Sequence, residues 1–290
     1  MKRKIATVLF ALLFLAGFGV LAYPTISNQW NTYRQSRLIS EYKEVTENTD
    51  TEDFSREWEK ARRYDDSITV NQPMSADVFS GGGQEEKDSG YWNVLNIAGD
   101  GMMGYISIPK INVELAIYHG TSDDVLQTGV GHIEGTKLPI GGESNHTVLA
   151  AHRGLPSAKL FTDLDQMAEG DVFYLHILDE TLAYEVDQIL PMVDKDDTEA
   201  LTEALAIEEG KDYVTLFTCT PYGVNTHRLL VRGVRTEYNG EEERPETPAE
   251  TVSGLLQDYY MFFLLGGVAV TALAIAGIRA LARKKEKKRG

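Results

Sequence analysis

YVTLFTCTPYGVNTHRLLVR, residues Tyr213 to Arg232, holds the only cysteine of the chain, and the fold is read outward from it. Val214, Leu216 and Thr218 alternate with Thr215, Phe217 and Cys219. This period of two in β-branched and aromatic residues predicts a strand. Thr220-Pro221-Tyr222-Gly223-Val224-Asn225 then breaks the alternation with Pro, Gly and Asn, which predicts a loop. A second strand starts at His227, with Leu229, Val231 and Val234 as its apolar members. Cys219 therefore stands at a strand end that opens into a loop, and Arg228 starts the strand that returns. Rigid scaffolds present reactive groups at such places.

A single cysteine is by default a small buried hydrophobe. Two features argue for more. Arg228 brings positive charge near the sulfur, and a strand end leaves the thiol partly accessible; both favour the thiolate. A thiolate nucleophile works with a base, and one cysteine with a histidine remote in sequence is the pattern to seek. The six histidines are His119, His132, His146, His152, His176 and His227. His152 closes the apolar run Thr147-Val148-Leu149-Ala150-Ala151, just before the loop Arg153-Gly154-Leu155-Pro156. It thus repeats the strand-then-loop placement of Cys219. His132 and His227 remain candidates beside it on spacing alone.

Thr215-Leu216-Phe217-Thr218-Cys219 followed by Arg228 resembles the TLxTC…R signature of sortases, the cell-surface cysteine transpeptidases of Gram-positive bacteria. Four further blocks match in order: Ile106-Ser107-Ile108-Pro109-Lys110-Ile111, Tyr118-His119-Gly120-Thr121, Gly129-Val130-Gly131-His132 and Leu149-Ala150-Ala151-His152-Arg153-Gly154. With Cys219-Thr220-Pro221-Tyr222-Gly223 they resemble class C, the pilin-polymerising sortases. The resemblance is close over roughly 101–234 and holds in layout only on the flanks. It implies that Cys219 attacks the Thr–Gly bond of an LPxTG-like sorting signal. A pilin lysine then resolves the thioester into an isopeptide bond. His152 would be the general acid/base and Arg228 the donor to the oxyanion or substrate carbonyl. Arginine does not deprotonate at neutral pH, so its role is electrostatic. Thiol, imidazole and guanidinium cover this chemistry, and no cofactor is expected. Class C sortases also carry a lid with an Asp-Pro-aromatic motif. Here the Gly-rich loop 71–95 holds Asp77-Val78-Phe79, which keeps the acid and the ring but has Val78 where the family has Pro. Proline would stiffen that segment through its fixed φ.

At 290 residues the chain is long enough for a sizeable core in one or two domains. One cysteine excludes an internal disulfide. No paired CxxC and no HExxH is present, and the histidines are scattered, so no metal site is expected. The net charge of −16 is unevenly spread. The two ends hold ten basic residues and one acid, a net of +9, so the remainder carries −25. Phosphate backbones would be repelled by so acidic a domain, which excludes nucleic acid as a partner.

Both termini read as membrane-associated. Residues 1–22 start with Lys2, Arg3 and Lys4 and run uncharged from Ile5 to Ala22, at the short limit for a span of ~20 residues. They are read as an N-terminal anchor, with a cleaved signal peptide as the alternative. Residues 260–282 are uncharged except for Arg279 and precede the basic tail 283–290, which predicts a transmembrane helix with its tail in the cytoplasm. The catalytic region would then face outward from the cell membrane of a Gram-positive bacterium. Residues 23–70 read as helical. Ile26, Trp30, Tyr33 and Leu38 mark a first helix over about 26–42, and Phe54, Trp58 and Ala61 a second, capped by Asp50 or Thr51. Strands are expected at 104–108, 113–118, 147–151, 171–177, 182–193, 213–218 and 227–235, with helices near 159–167 and 198–207. Many strands at short spacing suggest a closed barrel. The resemblance makes it a mainly β, eight-stranded sortase-type barrel over 96–238 with N-terminal helices, flanked by two membrane-spanning helices. The acidic, Pro-containing segment 239–259 reads as a tether. Two rival readings are a sortase that anchors surface proteins to peptidoglycan, and a non-catalytic surface or assembly protein with Cys219 merely buried.

Overall fold

The computed structural model describes residues 2–68, 78 and 79, 90–242 and 266, with side chains from residue 12 onward. Asp77, most of the loop 71–95, the tether beyond Glu242, nearly all of the second apolar run and the basic tail lie outside the described residues. The barrel and its N-terminal helices form the compact unit Met1–Glu243.

Eight strands close into a barrel: β1 (Met102–Ile108), β2 (Val113–His119), β3 (Val130–His132), β4 (Asn145–Ala150), β5 (Val172–Ile177), β6 (Glu180–Asp194), β7 (Asp212–Thr220) and β8 (His227–Thr236). The order around the wall is β1-β2-β3-β4-β7-β8-β6-β5, and β1 pairs with β5 to shut it. The β2–β3 and β4–β7 pairs are parallel; the other pairs are antiparallel. The period-two alternation sorts side chains onto two faces. Leu149 and Ala151, Val214 and Leu216, Leu229 and Val231 enter the main core, while Val148, Ala150, Phe217 and Leu230 form a second apolar cluster.

All seven expected strands are present. The eighth, β3, has only three residues, too few to show alternation. Its close approach to the neighbouring chain depends on Gly131, where a Cβ would stand 2.3 Å from the Gly120 carbonyl oxygen. β6 runs through Pro191 because the register shifts between Leu190 and Val193, so no ladder bond is asked of the missing N–H. The helix expected near 159–167 is not formed: those residues are turns around a single 3-10 turn, Leu164–Gln166. Helix α3 (Asp123–Thr128) was not expected, although Ser122 followed by two aspartates is a capping signal. Helix α4 (Thr198–Ala204) lies where expected.

Helix α1 (Lys2–Glu47) is continuous, so no break separates residues 1–22 from a helix starting near 26. Pro24 sits inside it and removes one backbone hydrogen bond without ending it. Its packed face also differs from expectation: Ile26, Trp30 and Tyr33 are more than half exposed, whereas Gln35, Ile39 and Tyr42 are buried on the barrel. The reason is polar. Gln35 donates to the Thr128 carbonyl and accepts from Ala116 N–H, and Tyr42 donates to the Met103 carbonyl while accepting from Leu178 N–H. Helix α2 (Thr51–Ser67) is capped by Asp50 accepting from Asp53 N–H and buries Phe54, Trp58, Ala61 and Asp65. Among the described residues, no helix is long and apolar enough to cross a membrane.

Candidate active site

β4 and β7 run parallel, and the last residue of β4, Ala150, stands opposite Phe217, three residues before β7 ends. Two further ties extend the pairing: Ala151 N–H donates to the Phe217 carbonyl (3.2 Å), and the Thr218 hydroxyl donates to the Ala151 carbonyl (2.7 Å). The chain runs on from Ala151 to His152 just as β7 runs on from Thr218 to Cys219. Across the other edge of β7, Cys219 stands opposite Arg228 of β8. Three adjacent strands thus bring the three residues to one end of the barrel wall. Cys219 and Arg228 share the face of Phe217 and Leu230, because residues two apart in a strand point the same way, and the Phe79 ring touches both Phe217 and His152.

Cys219 and Arg228 are 4% and 2% exposed, so both are withheld from bulk water. The guanidinium is fixed by donating through Nη1 to the carbonyls of Asn225 (2.9 Å) and His227 (2.7 Å). Phe79 covers this face. Its ring stacks on Phe217 (5.8 Å between centroids, 2° between planes), tilts against His152 (5.2 Å) and carries the Arg228 guanidinium 5.3 Å from its centre. Val78 joins the same apolar cluster, with Leu190 and Val193 of β6. Asp77, named with Phe79 from the sequence, lies outside the described residues.

The other two histidine candidates are employed elsewhere. His132 is fully enclosed, between the Tyr91 hydroxyl on Nδ1 (2.9 Å) and the Lys137 carbonyl on Nε2 (2.8 Å). Burial lowers its pKa to about 4, so it stays neutral and structural. His227 pairs across from Thr220 and neighbours the Thr226 hydroxyl, in the alternate phase to Arg228. His152 is half-buried; burial holds its pKa below the usual imidazole range, with Asp123 opposing. Burial thus favours the neutral imidazole, which can take a proton. His119, inside a family block, is also structural: its two nitrogens face the carbonyls of Gly101 (2.9 Å) and Val94 (2.8 Å).

Sequence reasoning missed polar ties that hold the barrel together away from the three residues. Tyr91 links His132 to Gly120, whose N–H donates to the phenol oxygen (2.8 Å). Asp65 at the end of α2 accepts from Leu138 N–H (2.8 Å) and the Asn145 amide (3.2 Å), which joins the helix to the strand that leads to His152. Neither leaves a periodic mark in the sequence. Among the described residues, no cluster of three potential metal ligands occurs.

A thiol, a neutral imidazole and a fixed guanidinium on adjoining strand ends, under an aromatic cover, make the constellation of a cysteine-dependent acyl-transfer site. Similarity to known proteins specifies it. Residues 106–236 match the sortase domain. The chain is similar to the crystal structure of sortase C1 from Streptococcus agalactiae, at 46% identity over 70% of this chain and 100% of that one, TM-score 0.62. Sortase C of Streptococcus pneumoniae is similar at 43% identity, over 70% of this chain and 97% of that one, TM-score 0.62. Sortase D of Bacillus subtilis is 33% identical over 135 residues, which cover 46% of this chain and 63% of that protein. The chain belongs to the sortase family of cysteine transpeptidases, and its structural neighbours at this level are sortases of class C.

Proposed function

We propose that this protein is a pilin-polymerising transpeptidase, with Cys219 as nucleophile, His152 as general acid/base and Arg228 as oxyanion donor. The observation that carries the reading is the register that sets Cys219 opposite Arg228, on a strand paired with the one leading to His152, with the Phe79 ring against both His152 and Arg228. In the first half-reaction His152 takes the Cys219 thiol proton, and the sulfur attacks the scissile carbonyl of an LPxTG-like signal. The guanidinium stabilises the oxyanion, and the imidazolium protonates the leaving amine. In the second, a lysine amine of another pilin gives its proton to His152 and attacks the thioester, which restores the thiol and forms the isopeptide bond. Pilins are favoured as substrates because the similar S. pneumoniae enzyme is described in terms of pilin substrate specificity, and a group B streptococcal one as pilus-related. Asp77 and Phe79 act together as the lid. Both apolar end segments hold the protein in the cell membrane with the barrel outside, a reading supported by their basic flanks. The test is to incubate the full chain, in detergent, with an LPxTG-like peptide and a lysine-bearing pilin. A mass adduct on Cys219 and a ladder of joined pilins are expected. Transfer to peptidoglycan stem peptides without ladders would instead favour the anchoring sortase.

A further inference from the structure

The ladder that aligns β4 with β7 ends before it reaches the reacting pair. Its last members are Ala151 N–H on Phe217 and the Thr218 hydroxyl on the Ala151 carbonyl. Beyond His152 the chain turns away from β7. The next bond that joins the two sides comes from Arg153, whose Nη1 donates to the Thr220 hydroxyl (3.3 Å). Thr220 is itself 6% exposed and directly follows Cys219. The His152–Cys219 pair is therefore bracketed, by the Thr218–Ala151 bond on one side and by Arg153–Thr220 on the other.

The rest of the Arg153 guanidinium holds the side chain still. Nε donates to the Thr162 carbonyl (3.1 Å), and Nη2 pairs with Asp165. The adjoining backbone is tied to the same turn: Gly154 N–H donates to the Thr162 hydroxyl (3.2 Å), and Phe161 N–H to the His152 carbonyl (3.2 Å). The side chain is 9% exposed, and one planar fork reaches Thr220 on one segment and Thr162 and Asp165 on another. Lysine, a single point charge, would not reproduce that geometry.

We propose that Arg153 is a positioning residue that sets the His152–Cys219 spacing through Thr220, distinct from Arg228, which faces the developing charge. The inference rests on the proposed roles of Cys219 and His152. Misplacing a catalytic group by about 1 Å costs on the order of 100-fold in rate.

The test follows alkylation of Cys219 by iodoacetamide against pH in the full chain, alongside kcat and KM for a sorting-signal peptide. Arg153→Met and Arg153→Lys should both lower kcat about 10- to 100-fold with KM little changed. Both should move the alkylation profile toward that of His152→Ala, where the thiol titrates without its partner. Thr220→Val, which removes only the hydroxyl, should reproduce part of the effect, and Arg153→Met should add little to it. A wild-type alkylation profile in Arg153 variants that remain folded, or full additivity with Thr220→Val, would overturn the proposal. If Arg153→Met does not fold, Thr220→Val alone decides: a wild-type profile in it would equally sink the idea. Should His152→Ala itself leave the profile unchanged, the assignment of the base falls instead, and the two failures are told apart.

Discussion

Replacing Phe79 with alanine tests the cover over the thiol. The ring makes three contacts on the site face: a parallel stack with Phe217, a tilted contact with His152 and a cation–π contact with Arg228. Aromatic pairs contribute about 0.5–1.5 kcal/mol beyond their area, and a partly desolvated cation–π contact about 1 kcal/mol. Contacts that share one ring are not additive, so they hold the segment shut by about 2–3 kcal/mol in total. Each 1.4 kcal/mol is tenfold in an equilibrium, so truncation should shift closing by roughly 30- to 100-fold. Cys219 is the only cysteine and is 4% exposed, so alkylation followed by intact-mass spectrometry reports the open fraction without ambiguity. If opening is fast relative to labelling, Phe79→Ala should be alkylated about 30- to 100-fold faster than wild type, and hydrolysis of a sorting-signal peptide should rise with it. Asp77→Ala combined with Phe79→Ala should be at least as fast. A labelling rate equal to wild type would refute the covering role and leave the assignment of Cys219, His152 and Arg228 untouched.

Cys219→Ala should abolish thioester formation and ladders. His152→Ala and Arg228→Ala should lower the rate at least ~100-fold with folding intact, checked by circular dichroism and single-turnover acylation. An active His152→Ala beside an inactive His132→Ala would reverse the choice of base. Burial raises the Asp65 carboxyl from 3.8 to about 7, against the opposing pull of Leu138 N–H and Lys137. The folded state therefore holds that proton more tightly: the associated stability is complete below about pH 4 and is lost as pH rises toward 7, by about 4 kcal/mol at most. His132, lowered to about 4, acts oppositely, losing stability as pH falls from 6.5 toward 4. Asp65→Asn should thus remove the decline in Tm between pH 4 and 7 and leave the acid-side loss; an unchanged slope relative to wild type would rule Asp65 out. On intact protoplasts, protease should cut between Tyr23 and Asp258 and spare both termini, whereas a mature N-terminus near Tyr23 would show a cleaved leader.

Periodicity alone determined the strands around Cys219, because alternation of Val214, Leu216 and Thr218 with Phe217 and Cys219 is a local property of an extended chain. It also determined the α2 face of Phe54, Trp58 and Ala61, which recurs at helical spacing. The family blocks brought Cys219, His152 and Arg228 together on paper before any register was known. Which strands pair, and in what register, is not encoded in a local pattern. The parallel β4–β7 register, whose last pair is Ala150 with Phe217, joins residues more than sixty positions apart. The three-residue β3 owes its existence to its neighbours rather than to its own sequence. The packed face of α1 escaped for the same reason: Gln35 is polar, and only the Ala116 N–H and Thr128 carbonyl opposite it make burying that amide favourable. Asp65 likewise looks like an ordinary surface charge in the sequence, and Arg153, though inside a family block, has no partner legible there. Their roles come from distant carbonyls, hydroxyls and amides that only the closed barrel brings within hydrogen-bond reach.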